Sequence, residues 1–198
     1  MEALELAGVV TGVVAVALTV RRSLWCWPVG IVNVSLFAIV FWRVGLLADA
    51  GLQLVYLALC AYGWWQWSHG GPAGGELPVG RAPRRILVGL LAAAALFALA
   101  LGALLARVPS ASWPWLDATL AAGSLAAQAL QTRKWIENWA VWIAVDLAYV
   151  GLYVAKNLLA TAALYAMFTV LAVAGLLAWR RALAGRSAAG RAVVEAAG

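Results

Sequence analysis

In the stretch WIENWAVWIAVDLAYVGLY, residues 135–153, six side chains follow one another at spacings of 4, 3, 4, 3 and 4: Trp135, Trp139, Trp142, Asp146, Tyr149 and Tyr153. In a helix that rhythm gathers them on a single face. Aromatic faces stack on a planar ring and attract a cation, each contact being worth roughly 0.5–2 kcal/mol. The carboxylate in the middle can accept hydrogen bonds from hydroxyls or offset a positive charge. A flat, polar heterocycle carrying a sugar would meet both demands.

Three amides extend the polar set. Asn33, Gln53 and Gln128 each fall inside an otherwise apolar run, where an unpaired amide is costly. Each therefore reads either as a hydrogen bond between helices or as a contact to a polar ligand. Asp146 poses the same choice: it accepts hydrogen bonds from Ser, Thr or Trp of a neighbouring helix, or it lines a pathway. Many of the other tryptophans fit interfacial belts, with Trp64, Trp65, Trp67 and Trp179 at one membrane surface and Trp42, Trp113 and Trp115 at the other.

Other chemistry is missing from the sequence. It contains no G-x-x-x-x-G-K-[ST] phosphate loop, no His/Cys/carboxylate group at metal-binding spacing and no nucleophile–base pair. The one histidine, His69, lies in a Gly/Pro-rich stretch and reads as a solvated residue. Neither an enzyme nor a cofactor is expected. The net charge of +6 is divided by membrane side rather than concentrated on one surface, so no nucleic-acid partner is expected either. Cys26 and Cys60 lie in apolar runs and read as small hydrophobes rather than a disulfide.

The elements that must position these groups are membrane helices. Of 198 residues, 66% are hydrophobic and 11% charged, against about 45–50% apolar in soluble domains. Seven apolar windows, about 4–20, 24–42, 48–67, 86–106, 116–132, 138–155 and 157–179, are each long enough to cross a hydrocarbon core of about 30 Å. The first begins with Glu2 and Glu5 instead of a basic n-region, so it reads as a span and not a signal peptide. The expectation is an all-α, multi-pass protein of the lipid bilayer.

Charge sets the expected orientation. Loops on one side hold Arg21, Arg22, Arg81, Arg84, Arg85, Arg133, Lys134, Arg180, Arg181, Arg186 and Arg191; the other side holds only Arg43, Arg107 and Lys156. The positive-inside rule then places the N-terminus outside and the C-terminus in the cytoplasm of a cell-membrane protein. The Gly/Pro-rich segment SHGGPAGGELPVGRAPRR reads as a flexible cytoplasmic linker, and the tail beyond Trp179 as a short, partly disordered end.

Sliding the chain on itself by 112 residues pairs Arg21 with Arg133, Trp27 with Trp139, Gly63 with Gly175 and Trp67 with Trp179. On the helix 2 face equivalent to the Asp146 stripe stand Trp27, Gly30, Val34, Phe37 and Phe41, aromatic but uncharged. A three-helix repeat separated by one further helix makes the halves parallel, a plan in which substrate sits near the midplane between them. The expected division is 1–67 as a first three-helix bundle, 68–85 as linker, 86–106 as a linker helix, 107–180 as a second three-helix bundle and 181–198 as a cytoplasmic tail.

The runs WCWPVGIVNVSLFAIVF (25–41), LLADAGLQLVYLALCAYGWWQW (46–67) and RKWIENWAVWIAVDLAYVGLYVAKNLLATAALYAMFTVLAVAGLLAW (133–179) resemble the PnuC-type nicotinamide riboside transporters. The most specific portion is ENWAVWIAVD (137–146). The resemblance implies seven helices arranged 3+1+3 as in the SWEET transporters, facilitated diffusion with trapping by a cytoplasmic kinase, and a homo-oligomer, a trimer. It carries the family's binding motif onto Asn138, Trp139, Trp142 and Asp146, and matches Asn33 and Gln53 to polar positions of the first half. Nicotinamide riboside is the leading substrate it implies, with thiamine or riboflavin as alternatives; RRSLWCWPV (21–29) is similar to riboflavin-transporting members. A non-transporting membrane scaffold or enzyme subunit is the reading from a different class.

Overall fold

The computed structural model describes residues 2–43, 45, 47–108 and 113–197. Among them seven long helices follow one another: α1 (Glu2–Val20), α2 (Cys26–Arg43), α3 (Leu47–His69), α4 (Arg84–Leu105), α5 (Pro114–Thr132), α6 (Glu137–Ala155) and α7 (Leu159–Ala197). Five of them, α1, α2, α4, α6 and α7, are long and apolar enough to cross a membrane. The other two, α3 and α5, carry more polar residues along their length, including Gln53 and Gln66 in the one and Gln128 and Gln131 in the other. They also pack against each other. A helix covered by protein needs less apolar surface than one facing lipid, and α5, packed on α3, α4 and α6, has the longest run of buried residues.

The helices pack in chain order, α1 on α2 and α2 on α3, then α5 on α6 and α6 on α7. Across the molecule α1 meets α7 and α3 meets α5, while α4 rests chiefly on α5 with most of its surface exposed. The 112-residue offset reappears in the backbone. Shifting α1 by that amount gives the bounds of α5, and the ends of α2 and α6 and the starts of α3 and α7 correspond in the same way. Left-handed residues recur at the matching turns, Arg22 (φ 60°) with Lys134 (φ 54°) and Gly45 (φ 79°) with Asn157 (φ 57°).

The core lies at the end of the bundle nearest the linker, where four indoles meet. Trp27 and Trp67 pack edge to face at 5.2 Å and 89°, and Trp139 and Trp179 repeat the arrangement at 5.4 Å and 86°. Trp67 and Trp179 touch across the middle at 5.8 Å. Trp67 Nε1 donates to the Gln131 carbonyl at 2.9 Å and Trp179 Nε1 to the Thr19 carbonyl at 3.2 Å, acceptors again 112 residues apart. Gly63 faces the Trp27 ring and Gly175 the Trp139 ring so closely that a Cβ at either position would overlap the indole.

Three sequence expectations change here. Trp67 and Trp179 are fully buried in the core rather than in an interfacial belt, because each is one turn or more removed from a glycine notch that admits a neighbouring ring; Trp42, Trp64, Trp65, Trp113 and Trp115 are exposed as belt residues would be. The linker is not a flexible tether. Residues 76–82 are strapped down by Leu77 N–H to Trp67 O, Gly80 N–H to Lys134 O, Ile136 N–H to Gly80 O and Ala82 N–H to Glu137 Oε2, with Val79 buried beneath. Finally, the tail continues α7 as helix to Ala197, in keeping with its alanine content.

Candidate functional site

The α6 stripe divides into two parts with different surroundings. Toward the linker, Trp139 is enclosed among the four indoles, and Asn138 beside it is fully buried, its Nδ2 donating to the Trp135 carbonyl at 2.6 Å. Asn138 Oδ1 and the Trp139 and Trp27 Nε1 atoms are buried with no hydrogen-bond partner among the described residues. Trp142, one turn farther on, is half-buried and donates from Nε1 to Gln131 Oε1 at 3.2 Å.

Beyond Trp142 the stripe becomes polar. Asp146 is seven residues from Trp139, about 10 Å along the helix, and only 6% exposed. No hydrogen bond or ion pair to its carboxylate forms among the described residues, so the reading of Asp146 as an acceptor for a neighbouring Ser, Thr or Trp has no counterpart in the contacts. Its electrostatic neighbours are the phenols of Tyr149 and Tyr165. Tyr149 and Tyr153 stack at 5.8 Å and 14°, and Tyr165 from α7 closes on both, at 4.6 Å and 5.3 Å. Phe168 adds an edge-to-face contact to Tyr165 at 5.9 Å.

The remaining amides lie on three other helices, α2, α3 and α5. Asn33 ties α2 to α1, its Nδ2 donating to the Gly8 carbonyl at 2.6 Å and to Thr11 Oγ1 at 3.1 Å. That is the interhelical bond rather than a free donor. Gln128, buried in α5, donates from Nε2 to Cys60 Sγ of α3 at 3.7 Å, a weak bond that leaves its carbonyl oxygen without a partner in any hydrogen bond of the described residues. Gln53 is half-buried in α3 with no side-chain hydrogen bond among the described residues.

Asp146, Tyr149 and Trp142 are therefore the stripe residues with polar atoms near the middle of the bundle, and Tyr165 joins them from α7. Sequence reasoning missed Tyr165. The repeat offset carried the signal, since Tyr165 stands 112 residues after Gln53. The arrangement sets the Asp146 carboxylate beside the phenols of Tyr149 and Tyr165, with the Asp117 carboxylate of α5 near Tyr149 and Tyr153. Such a site can bind a flat polar molecule, and no group of metal ligands is found among the described residues.

A family model described as nicotinamide mononucleotide transporter matches residues 2–181, nearly the whole chain. The chain belongs to this PnuC-type family of transporters. It is 34% identical over 179 residues to the riboflavin/roseoflavin transporter RibM of Streptomyces davaonensis, covering 88% of this chain and 83% of that one. It is 24% identical over 201 residues to the nicotinamide riboside transporter PnuC of Escherichia coli, covering 89% and 84% respectively. The fold is similar to the crystal structure of the vitamin B3 transporter PnuC, with a TM-score of 0.70 and 24% identity over 90% of this chain and 80% of that chain. The chain is thus a multi-pass membrane protein of a transporter family, not an enzyme, and the scaffold reading falls away.

Proposed function

We propose that this protein carries a flat, hydroxyl-bearing vitamin across the membrane, with riboflavin as the first candidate. The observation that carries the class is Asp146, a buried carboxylate with no hydrogen-bond or ion-pair partner among the described residues, beside the phenols of Tyr149 and Tyr165. The phenols and indole would stack on the ring system while Asp146 accepts from hydroxyl or imide donors. The similarity to a riboflavin/roseoflavin transporter at 34% identity favours riboflavin over the nicotinamide riboside that the sequence motifs put first. Nicotinamide riboside is the second reading, favoured by the carboxylate itself, since a pyridinium cation would offset its charge. Gln53, Gln128, Asn138, Trp139 and Asn33 complete the proposed substrate-binding set, Asn33 chiefly by holding α1 against α2.

Thermal unfolding of the purified protein with riboflavin, nicotinamide riboside and thiamine tests this order. The melting temperature should rise most with riboflavin; a larger shift with nicotinamide riboside reverses the order, and no shift beyond that of an unrelated nucleoside removes the vitamin reading.

Transport is read as downhill, with trapping by phosphorylation in the cytoplasm, because the sequence holds no ATP-binding loop. The helices are read as two parallel bundles, α1–α3 and α5–α7, joined by α4. Supporting this, the contacts among these six helices are unchanged when α1, α2 and α3 are exchanged for α5, α6 and α7; only the contact of α4 with α5 has no counterpart on α1. The exposed apolar surface of α4 is read as the face that lies against lipid or other copies in a trimer.

A further inference from the structure

A cavity of about 500 Å³ lies at the linker end, on the opposite side of the indole layer from Asp146. That is the ordinary size of a small-molecule site, about 300–1,000 Å³. Four cationic residues, Arg21, Arg22, Lys134 and Arg186, line it against one carboxylate, Glu76. The fourth wall is apolar, made by residues 77–79 of the strapped linker and Ala182 of α7.

The cations are not placed alike. Lys134 is 2% exposed, ion-paired to Glu76 at 2.8 Å and set over the Trp67 ring at 4.3 Å. Burial pulls its ammonium below the ordinary lysine range, Glu76 pulls it back up, and nearby Arg22 pushes it down again. Arg186 donates from Nη1 to the Val79 carbonyl at 2.6 Å, which fixes one nitrogen and leaves the rest of its fork. Arg21 and Arg22 are exposed, and among the described residues neither forms an ion pair. Basic residues at the end of α1 would satisfy the helix dipole and membrane orientation from anywhere on that surface. Neither requirement explains why Arg186, from a different helix, α7, and a pinned linker enclose them in a shared cavity.

We propose that this cavity is a binding site for a phosphate ester, its phosphate held by Arg21, Arg22 and Arg186 and its apolar portion lying against Leu77 and Val79. Guanidinium groups suit phosphate because they donate two parallel hydrogen bonds to its oxygens. The ester is either a free phosphorylated metabolite or the headgroup of an anionic phospholipid, and the site stands whatever vitamin the Asp146 region carries.

The test uses the full-length protein and two probes. Binding of phenyl phosphate is measured by calorimetry in neutral detergent, and the melting temperature is compared in nanodiscs of phosphatidylglycerol and of phosphatidylcholine. The variant R21Q/R22Q removes two charges from the cavity without removing a packed side chain, and R84Q/R85Q removes two from the same membrane face outside it. Phenyl phosphate affinity should fall about tenfold in R21Q/R22Q and stay within about twofold in R84Q/R85Q. A response of the ester alone assigns the site to free esters; loss of phosphatidylglycerol stabilisation in R21Q/R22Q alone assigns it to a lipid headgroup; loss of both assigns it to either. If neither probe distinguishes R21Q/R22Q from R84Q/R85Q, the cavity is only part of a diffuse basic surface and the proposal is overturned.

Discussion

Asp146 and Asn33 look alike in sequence, each a polar residue in a membrane helix, yet the structure gives them different work. Asn33 spends its amide on α1 through Gly8 and Thr11. Asn33→Ala should lower stability by about 1 kcal/mol, the worth of an interhelical bond of this kind, and weaken ligand binding far less than Asp146→Asn does. Asp146 makes no such bond among the described residues. Asp146→Asn should therefore leave a monodisperse protein but weaken substrate binding roughly ten- to a hundredfold, the effect of a lost charge-assisted bond of about 1.5–3 kcal/mol. Calorimetry paired with size-exclusion chromatography separates the two outcomes: if Asp146→Asn binds normally and purifies poorly, the carboxylate is structural. Spacing alone placed Asp146 on an aromatic face, but nothing in the sequence says whether a polar side chain is already satisfied by its neighbours.

At the scale of the helices, the indole layer depends on two notches. Because a Cβ at Gly63 would overlap Trp27 and one at Gly175 would overlap Trp139, Gly63→Ala and Gly175→Ala should each destabilise by about 1–3 kcal/mol through overpacking. The two notches do the same job at equivalent positions, so the melting temperatures of the two variants should fall by similar amounts; a loss confined to one would argue against equivalent halves. The paired Trp and Gly at a 112-residue offset made this repeat legible in sequence. Burial of Trp67 and Trp179 was not legible, because an interfacial tryptophan and a core tryptophan at a helix end have the same sequence context. The linker escaped for a similar reason. Its glycines and prolines describe a chain that can bend, whereas its order comes from hydrogen bonds to Trp67, Lys134 and Glu137, residues distant in sequence.

For the whole molecule, the basic asymmetry of the loops predicts a cytoplasmic linker. Both native cysteines are buried, so a cysteine introduced at Ser68 provides a reporter with little background. It should resist an impermeant maleimide in intact cells and react once the cells are opened; labelling in intact cells would invert the orientation. Hydropathy identified a helical membrane protein directly, and five of the seven helices qualify as spans by length and composition. The other two, α3 and α5, carry more polar residues and pack against each other; under the proposed two-bundle arrangement that pairing would bring polar residues of both bundles toward one centre.

The claim that this centre moves a vitamin is tested most directly by uptake of labelled riboflavin into liposomes containing the purified protein, with nicotinamide riboside run in parallel. Wild-type protein should give saturable riboflavin uptake that stops when the inside and outside concentrations are equal, and Asp146→Asn should slow it at limiting substrate. No uptake of either compound above empty vesicles would contradict the account.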